Sequence, residues 1–251
     1  MPESIIKIQN LYKKYKNADD FSVNNISLNI EENEIFGILG PNGAGKTTLI
    51  SMLCGLLKPT AGTYTINSLS PKNNRTKIQR QIGIVPQEYA LYPTLTAREN
   101  LMFFGSLYGL KHKVLHSKIE NALQRVGLEN FANRKIDNFS GGMKRRCNLI
   151  AGIMHEPKVL FLDEPTVGVD VQSRNVIIEY LQELNKNGTT IIYTSHHLQE
   201  AEEFCTKIAI IDHGRIYAIG SPKELIAQTE NAKNLEDVFI ALTGKELRDA
   251  V

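Results

Sequence analysis

The chain has no tryptophan and only three cysteines, Cys54, Cys147 and Cys205, with no C-x-x-C pair among them. That spacing excludes a disulfide framework and a cysteine-based zinc site, and fits reduced thiols in a core. No apolar run approaches the roughly 20 residues that cross a bilayer. The start, Met1-Pro2-Glu3-Ser4, carries an acid and leads into a strand-like segment, so no signal peptide is expected and the chain is placed in the cytoplasm. Any action on a membrane then needs a second chain to supply the membrane part. Neither sign of charge is in excess: 29 Lys+Arg against 27 Asp+Glu leaves +2, which gives no reason to expect a nucleic-acid partner. Internal repeats, low-complexity tracts and long linkers are missing as well. What remains is 251 residues of ordinary globular composition, suited to one large α/β domain or two small ones.

The most informative stretch is Gly40-Pro41-Asn42-Gly43-Ala44-Gly45-Lys46-Thr47-Thr48, which fits G-x-x-x-x-G-K-[ST]. Glu34 to Leu39 ahead of it reads as a buried strand. Leu49 to Leu57 behind it is apolar at helical spacing and stops at Lys58-Pro59. Strand, glycine loop and helix in that order are the context a phosphate loop requires. Glycines let successive backbone N–H groups converge on an anion, and the helix N-terminus adds partial positive charge. Lys46 has the reach for the β- and γ-phosphates, and the Thr47 hydroxyl can ligate Mg²⁺.

Along the rest of the chain, Ile5–Gln9 and Ile26–Ile30 alternate as half-buried antiparallel strands, with Leu11 to Tyr15 between them. Tyr12 and Tyr15 can each stack on a base, although on spacing alone a partly buried strand-end tyrosine is the better reading of either. Thr63 to Ile66 suggests a sheet edge. Gln81 to Gln87 is a strand that leaves Gln87 at a strand-to-loop junction, either within reach of a metal or simply on a surface loop. Leu91-Tyr92-Pro93-Thr94-Leu95 is apolar for a loop, read either as an exposed docking surface or as a loop packed on its own helices. Thr96-Ala97-Arg98-Glu99 is a capping box opening one helix, and a second amphipathic helix ends at Gly127. Ser140-Gly141-Gly142 opens a helix through Met154 and makes a second anion-binding helix start. Val159 to Asp163 is a strand ending in two acids: Asp163 suits Mg²⁺, and Glu164 suits a base for an attacking water. Asp170 closes a tight loop before the next helix. A buried strand, Thr189 to Tyr193, delivers His196 and His197 to the end where ligands gather in open α/β sheets. Lys207–Asp212 and Arg215–Gly220 form a hairpin.

Taken together these motifs resemble the ATP-binding subunits of ABC transporters over nearly the whole length. The Walker A loop is Gly40 to Thr48, the Q-loop glutamine Gln87, and the signature Phe139-Ser140-Gly141-Gly142-Met143. Walker B is Val159 to Asp163 followed by Glu164, the D-loop is Val167 to Asp170, and the switch histidine is His196. Tyr15 falls where that family stacks adenine. The resemblance implies an α/β P-loop fold with a RecA-like core sheet and an antiparallel β part (1–87 and 158–220), an inserted helical subdomain (88–157) and a short helical tail (221–251). It implies a head-to-tail dimer over two ATP, with Ser140, Gly141 and Gly142 of one copy facing the γ-phosphate held by Lys46 of the other. Mg²⁺ would lie on Thr47, Gln87 and Asp163. Glu164 would orient or deprotonate water, His196 would stabilise the phosphoryl group, and Asp170 would work across the dimer. A transmembrane permease subunit would dock on the loop after Gln87, holding the ATPase peripherally at the cytoplasmic face. Met143 and Phe139 replace the usual glutamine and leucine, and Val167-Gly168-Val169 replaces the commoner S-A-L; contacts made by the backbone of Gly141 and Gly142 survive both. The tail from Leu235 to Gly244 is similar to that of exporter ATPases. A soluble relative working on ribosomes or DNA is the alternative, and it lacks support from a second nucleotide domain or a long coiled coil.

Overall fold

The computed structural model describes residues 4–16 and 18–244; the expectations for Met1–Glu3 and for the tail beyond Gly244 lie outside these. The chain forms two compact units, one from 1–79 with 190–251 and one from 80–189. By compactness, the strands flanking the helical segment and the helix after Asp170 group with the helices.

In the first unit, β1 (Ser4–Lys14), β2 (Phe21–Glu31) and β4 (Ala61–Ile66) make an antiparallel sheet in the order β2-β1-β4, with β4 at an edge as its alternation suggests. β1 runs further than the sequence reading, which ended a strand at Gln9. The pairing slips between Ile8 and Leu11, and Asn10 adopts φ 45°. That bulge shifts the alternation by one residue, so Leu11 returns to the core and a period-two reading stops short. β3 (Ile35–Leu39), β7 (Thr190–Ser195) and β8 (Lys207–Asp212) are parallel, and β9 (Arg215–Gly220) closes a hairpin on β8. Its turn residues, His213 and Gly214, both have positive φ, as a two-residue hairpin loop demands. All five residues of β3 are buried, which accounts for its unbroken apolar run.

Helix α1 (Lys46–Leu53) follows β3, and α7 (Leu198–Phe204) follows β7. Helix α2 (Pro71–Gln79) escapes the sequence reading altogether. Only Ile78 of α2 is buried and Asn74 breaks its geometry, so it offers no apolar period to detect. The unit ends in α8 (Pro222–Gln228), opened by a Ser221–Glu224 capping box, and α9 (Leu235–Thr243), whose Leu235, Val238 and Phe239 are buried.

The second unit pairs β5 (Ile82–Val85) in parallel with β6 (Val159–Asp163). Around them lie α3 (Ala97–Leu107), α4 (His112–Arg125), α5 (Gly141–Ile153) and α6 (Val171–Lys186). Their core joins Leu101, Leu115, Ile119, Leu123 and Ile150, and Leu91 is buried among them. The loop at 91–95 therefore divides: Leu91 packs inward, while Tyr92 stays 47% exposed on Phe103 and Phe104. The three cysteines are free and buried, and burial pushes the Cys147 thiol up to about 12, so it is inert at neutral pH.

The capping box at α3 forms in full: Thr96 Oγ1 accepts from the Glu99 N–H at 3.2 Å, and Glu99 Oε2 accepts from the Thr96 N–H at 2.8 Å. Thr96→Ala leaves the Glu99 N–H without its side-chain acceptor and removes the bond of the hydroxyl to Glu99 Oε2, while the backbone bond from position 96 to Glu99 remains. It is expected to cost about 1 kcal/mol, read as a lower urea midpoint with an unchanged slope.

Candidate functional site

In the first unit, Leu39 pairs with Ser195, so the chain leaves two adjacent parallel strands into Gly40 and His196. The strand order thus brings the phosphate loop and the histidine pair to one sheet end, the end where α/β proteins bind ligands. The loop is clamped from outside. The Gly214 N–H donates to the Ala44 carbonyl at 3.0 Å, and the Ala44 N–H donates to the Pro41 carbonyl at 3.1 Å. Gly45 has φ 104°, and a Cβ there would lie 2.1 Å from the Ser22 carbonyl oxygen, so no other residue fits. Helix α1 starts on that turn without a side-chain cap, which leaves its N–H groups for an anion.

Lys46 is buried, and its Nζ donates to the carbonyls of Gly40 at 2.7 Å and Pro41 at 3.1 Å. The ammonium is therefore folded over the loop that it would serve. Thr47 is exposed, and the Tyr15 hydroxyl lies 3.4 Å from Thr48 Oγ1. Tyr15 is 45% exposed beside α1, whereas Tyr12 packs edge-on against Phe21 at 5.7 Å. Of the two tyrosines, Tyr15 is the more exposed, with the Lys13 ammonium 5.4 Å from its ring. His196 is half-buried and its ring tilts over exposed His197 at 4.2 Å; the His197 N–H donates to Ser195 Oγ at 2.9 Å.

The second unit repeats the device. Val85 pairs with Leu162, so Pro86-Gln87 and Asp163-Glu164 leave neighbouring strand ends. The Gln87 Nε2 donates to Glu164 Oε2 at 3.3 Å. Asp163 and Glu164 are both buried, and Glu164 adopts φ 50°. A carboxylate held in left-handed backbone stores about 1 kcal/mol of strain, a feature that gathers at reactive positions.

Helix α5 begins at the signature turn. Ser140 Oγ accepts from the Met143 N–H at 3.3 Å, and both Ser140 and Gly141 are exposed. Gly142 is buried, and a Cβ there would meet Ser173 Oγ at 2.2 Å and Asp170 Oδ2 at 2.8 Å. Asp170 caps α6: the Ser173 N–H and hydroxyl each donate to its carboxylate at 2.8 Å and hold it below the usual carboxylate range. Two side chains in this unit escaped the motif reading. Arg145 and Asn148 are buried polar residues on α5, and both bond the backbone of the Gln87 loop. The apolar period of α5 runs along its other face, so nothing in that pattern marks them.

The oxygens offered by Thr47, Gln87 and Asp163 are hydroxyl, amide and carboxylate. That all-oxygen donor chemistry fits Mg²⁺, a hard cation that completes its sphere with phosphate oxygens and water.

A family model described as ABC transporter matches residues 23–167, more than half of the chain. The chain belongs to the ABC transporter family. This ABC ATPase is 45% identical to the linearmycin resistance ATP-binding protein LnrL of Bacillus subtilis, covering 98% of the chain and 77% of that protein. It is 41% identical to a Nod factor export ATP-binding protein I of Burkholderia lata, covering 90% and 74%. Among solved structures, an ATP-binding subunit of an ABC transporter superposes with a TM-score of 0.87 at 26% identity, covering 96% of this chain and 100% of that one. A dimeric ATP-binding cassette in a post-hydrolysis state, bound to ADP and Pi, superposes with a TM-score of 0.80 at 29% identity, covering 86% and 98%. The fold is thus the ABC ATPase fold, and the chain is the ATP-binding, ATP-hydrolysing subunit of a transporter complex with membrane subunits. No helix among the described residues is long and apolar enough to cross a membrane.

Proposed function

We propose that two identical copies of this ABC ATPase close head to tail over two Mg·ATP at the cytoplasmic face of a membrane and power export through a separate permease. The observation that carries the dimer is the exposure of Ser140 and Gly141 at the start of α5. A helix start with bare N–H groups and a free hydroxyl face suits an anion, and a second copy supplies one. The dimeric ADP- and Pi-bound relative supports the same reading. Export is supported by the relatives named for resistance and for Nod factor export.

In this reading Lys46 and the N–H groups from Gly40 to Thr48 hold the phosphates, and Tyr15 stacks on adenine. Thr47, Asp163 and Gln87 supply oxygens to Mg²⁺, which when bound neutralises charge on the transferring phosphoryl. Glu164 takes a proton from the attacking water, and His196 donates to the phosphoryl oxygens. Asp170 holds α6 against Gly142 and so ties the D-loop to the signature turn.

The permease would dock on the exposed aromatic face of the second unit, where Tyr92 meets the Phe103 ring at 5.1 Å. Exposed, mutually packed aromatics are a common anchor for a partner helix. Cell fractionation tests this. The wild-type chain is expected in the membrane fraction, and Tyr92→Ala with Phe103→Ala is expected to lower that share about tenfold while the purified subunit still hydrolyses ATP. Recovery of the wild-type chain with ribosomes or nucleoid instead of membranes would select the soluble branch of the superfamily and reject the transporter assembly.

A further inference from the structure

Arg145 is 5% exposed, yet its guanidinium donates to backbone carbonyls of two loops. Nη1 donates to Gln87 at 2.7 Å and to Pro86 at 3.4 Å, and Nη2 donates to Val167 at 3.3 Å. The guanidinium lies 4.9 Å over the Tyr89 ring, whose hydroxyl donates to the Gly141 carbonyl at 3.3 Å. One turn on, Asn148 donates to the Pro86 carbonyl at 3.3 Å and accepts from the Ala90 N–H at 3.1 Å. The backbone from Pro86 to Ala90 is thus bound by two side chains of α5. Nε of Arg145 has no hydrogen-bond partner among the described residues, and burial pulls the guanidinium pKa down while Tyr89 and Glu164 push it back up. A buried cation held by carbonyl dipoles is costly compared with an apolar side chain of similar volume. Its compensation requires three carbonyls from two loops to stay in place, which makes it a device for alignment.

We propose that Arg145 is a positioning residue for ATP hydrolysis: it seats the Gln87 loop and the Val167–Asp170 loop on the helix that carries the signature turn. The Gln87 amide is thereby aimed at Glu164. The inference rests on the roles given above to Gln87 and Glu164, and it extends them to a residue outside every motif. Tyr89 completes the link by tying the same guanidinium to the carbonyl of Gly141.

The test is a double-mutant cycle on purified subunit, with ATP affinity measured beside turnover. Arg145→Ala is expected to lower kcat roughly tenfold with ATP affinity changed by less than about twofold, the mark of lost alignment. In a Gln87→Ala background the same substitution is expected to cost less than about twofold more, because the group it aims is already gone. Losses that multiply, or a lowered melting temperature with unchanged kcat, overturn the proposal and leave Arg145 a packing residue. If Gln87→Ala alone leaves kcat intact, the role of Gln87 fails, and the proposal built on it falls for that separate reason. Should Arg145→Ala fail to fold, Tyr89→Ala removes the ring over the guanidinium from an exposed position. It must then show the same non-additivity with Gln87→Ala, and additive losses there reject the link.

Discussion

Glu164→Gln is expected to slow ATP hydrolysis by roughly 10²- to 10⁴-fold while ATP still binds. The substitution keeps shape and removes the negative charge, and with it the capacity to take a proton. Gln87 Nε2, 3.3 Å from Glu164 Oε2, finds an oxygen on the new amide as readily as on the carboxylate. The φ of 50° at this position is tolerated equally by glutamine, so nucleotide-free stability is expected to hold. Binding and closure then proceed without the step that separates the copies. Size-exclusion chromatography in Mg·ATP should show the variant as a dimer and the wild type, once it has turned over, as a monomer. Full turnover in the variant removes Glu164 from the mechanism. A persistent monomer in Mg·ATP removes the head-to-tail sandwich.

Lys46→Ala should do the opposite and weaken binding itself. Two charge-assisted hydrogen bonds to phosphate oxygens contribute about 3–6 kcal/mol, less what the ammonium gives up on leaving its present partners. Those partners include the carbonyls of Gly40 and Pro41 at 2.7 and 3.1 Å, so the lower end of the range applies. A loss of about 3 kcal/mol is roughly 100-fold in affinity, readable by calorimetry with ATP. The fold should survive, because the loop is also held by Gly214 and by the close seat of Gly45 on Ser22. Combined with Glu164→Gln, the lysine variant should no longer dimerise. A double variant that still closes would place the energy of closure outside the triphosphate.

Local chemistry made much of this molecule legible from its residues. The capping box at Thr96, the helix start at Ser140 and the hairpin at His213-Gly214 each depend on a few neighbouring atoms. Short-range hydrogen bonding sets them, so three or four residues suffice to read them. The same holds for the phosphate loop, whose glycines and lysine are required by the anion. The misses have physical causes too. Helix α2 buries one apolar residue and gives no period, and the bulge at Asn10 breaks the alternation that a strand reading follows.

What the residues alone determined is that the chain belongs with ATP-splitting transporter subunits, because that chemistry is written in short motifs. Only the tertiary structure decided which of them become neighbours. Register between parallel strands put Leu39 beside Ser195 and Val85 beside Leu162, which aligned each motif with its partner across more than 70 residues of chain. Packing alone chose the face of α5 on which Arg145 and Asn148 became buried ties for the Gln87 loop. A buried polar side chain takes its meaning from the carbonyls around it, and those arrive from distant segments that no local pattern records.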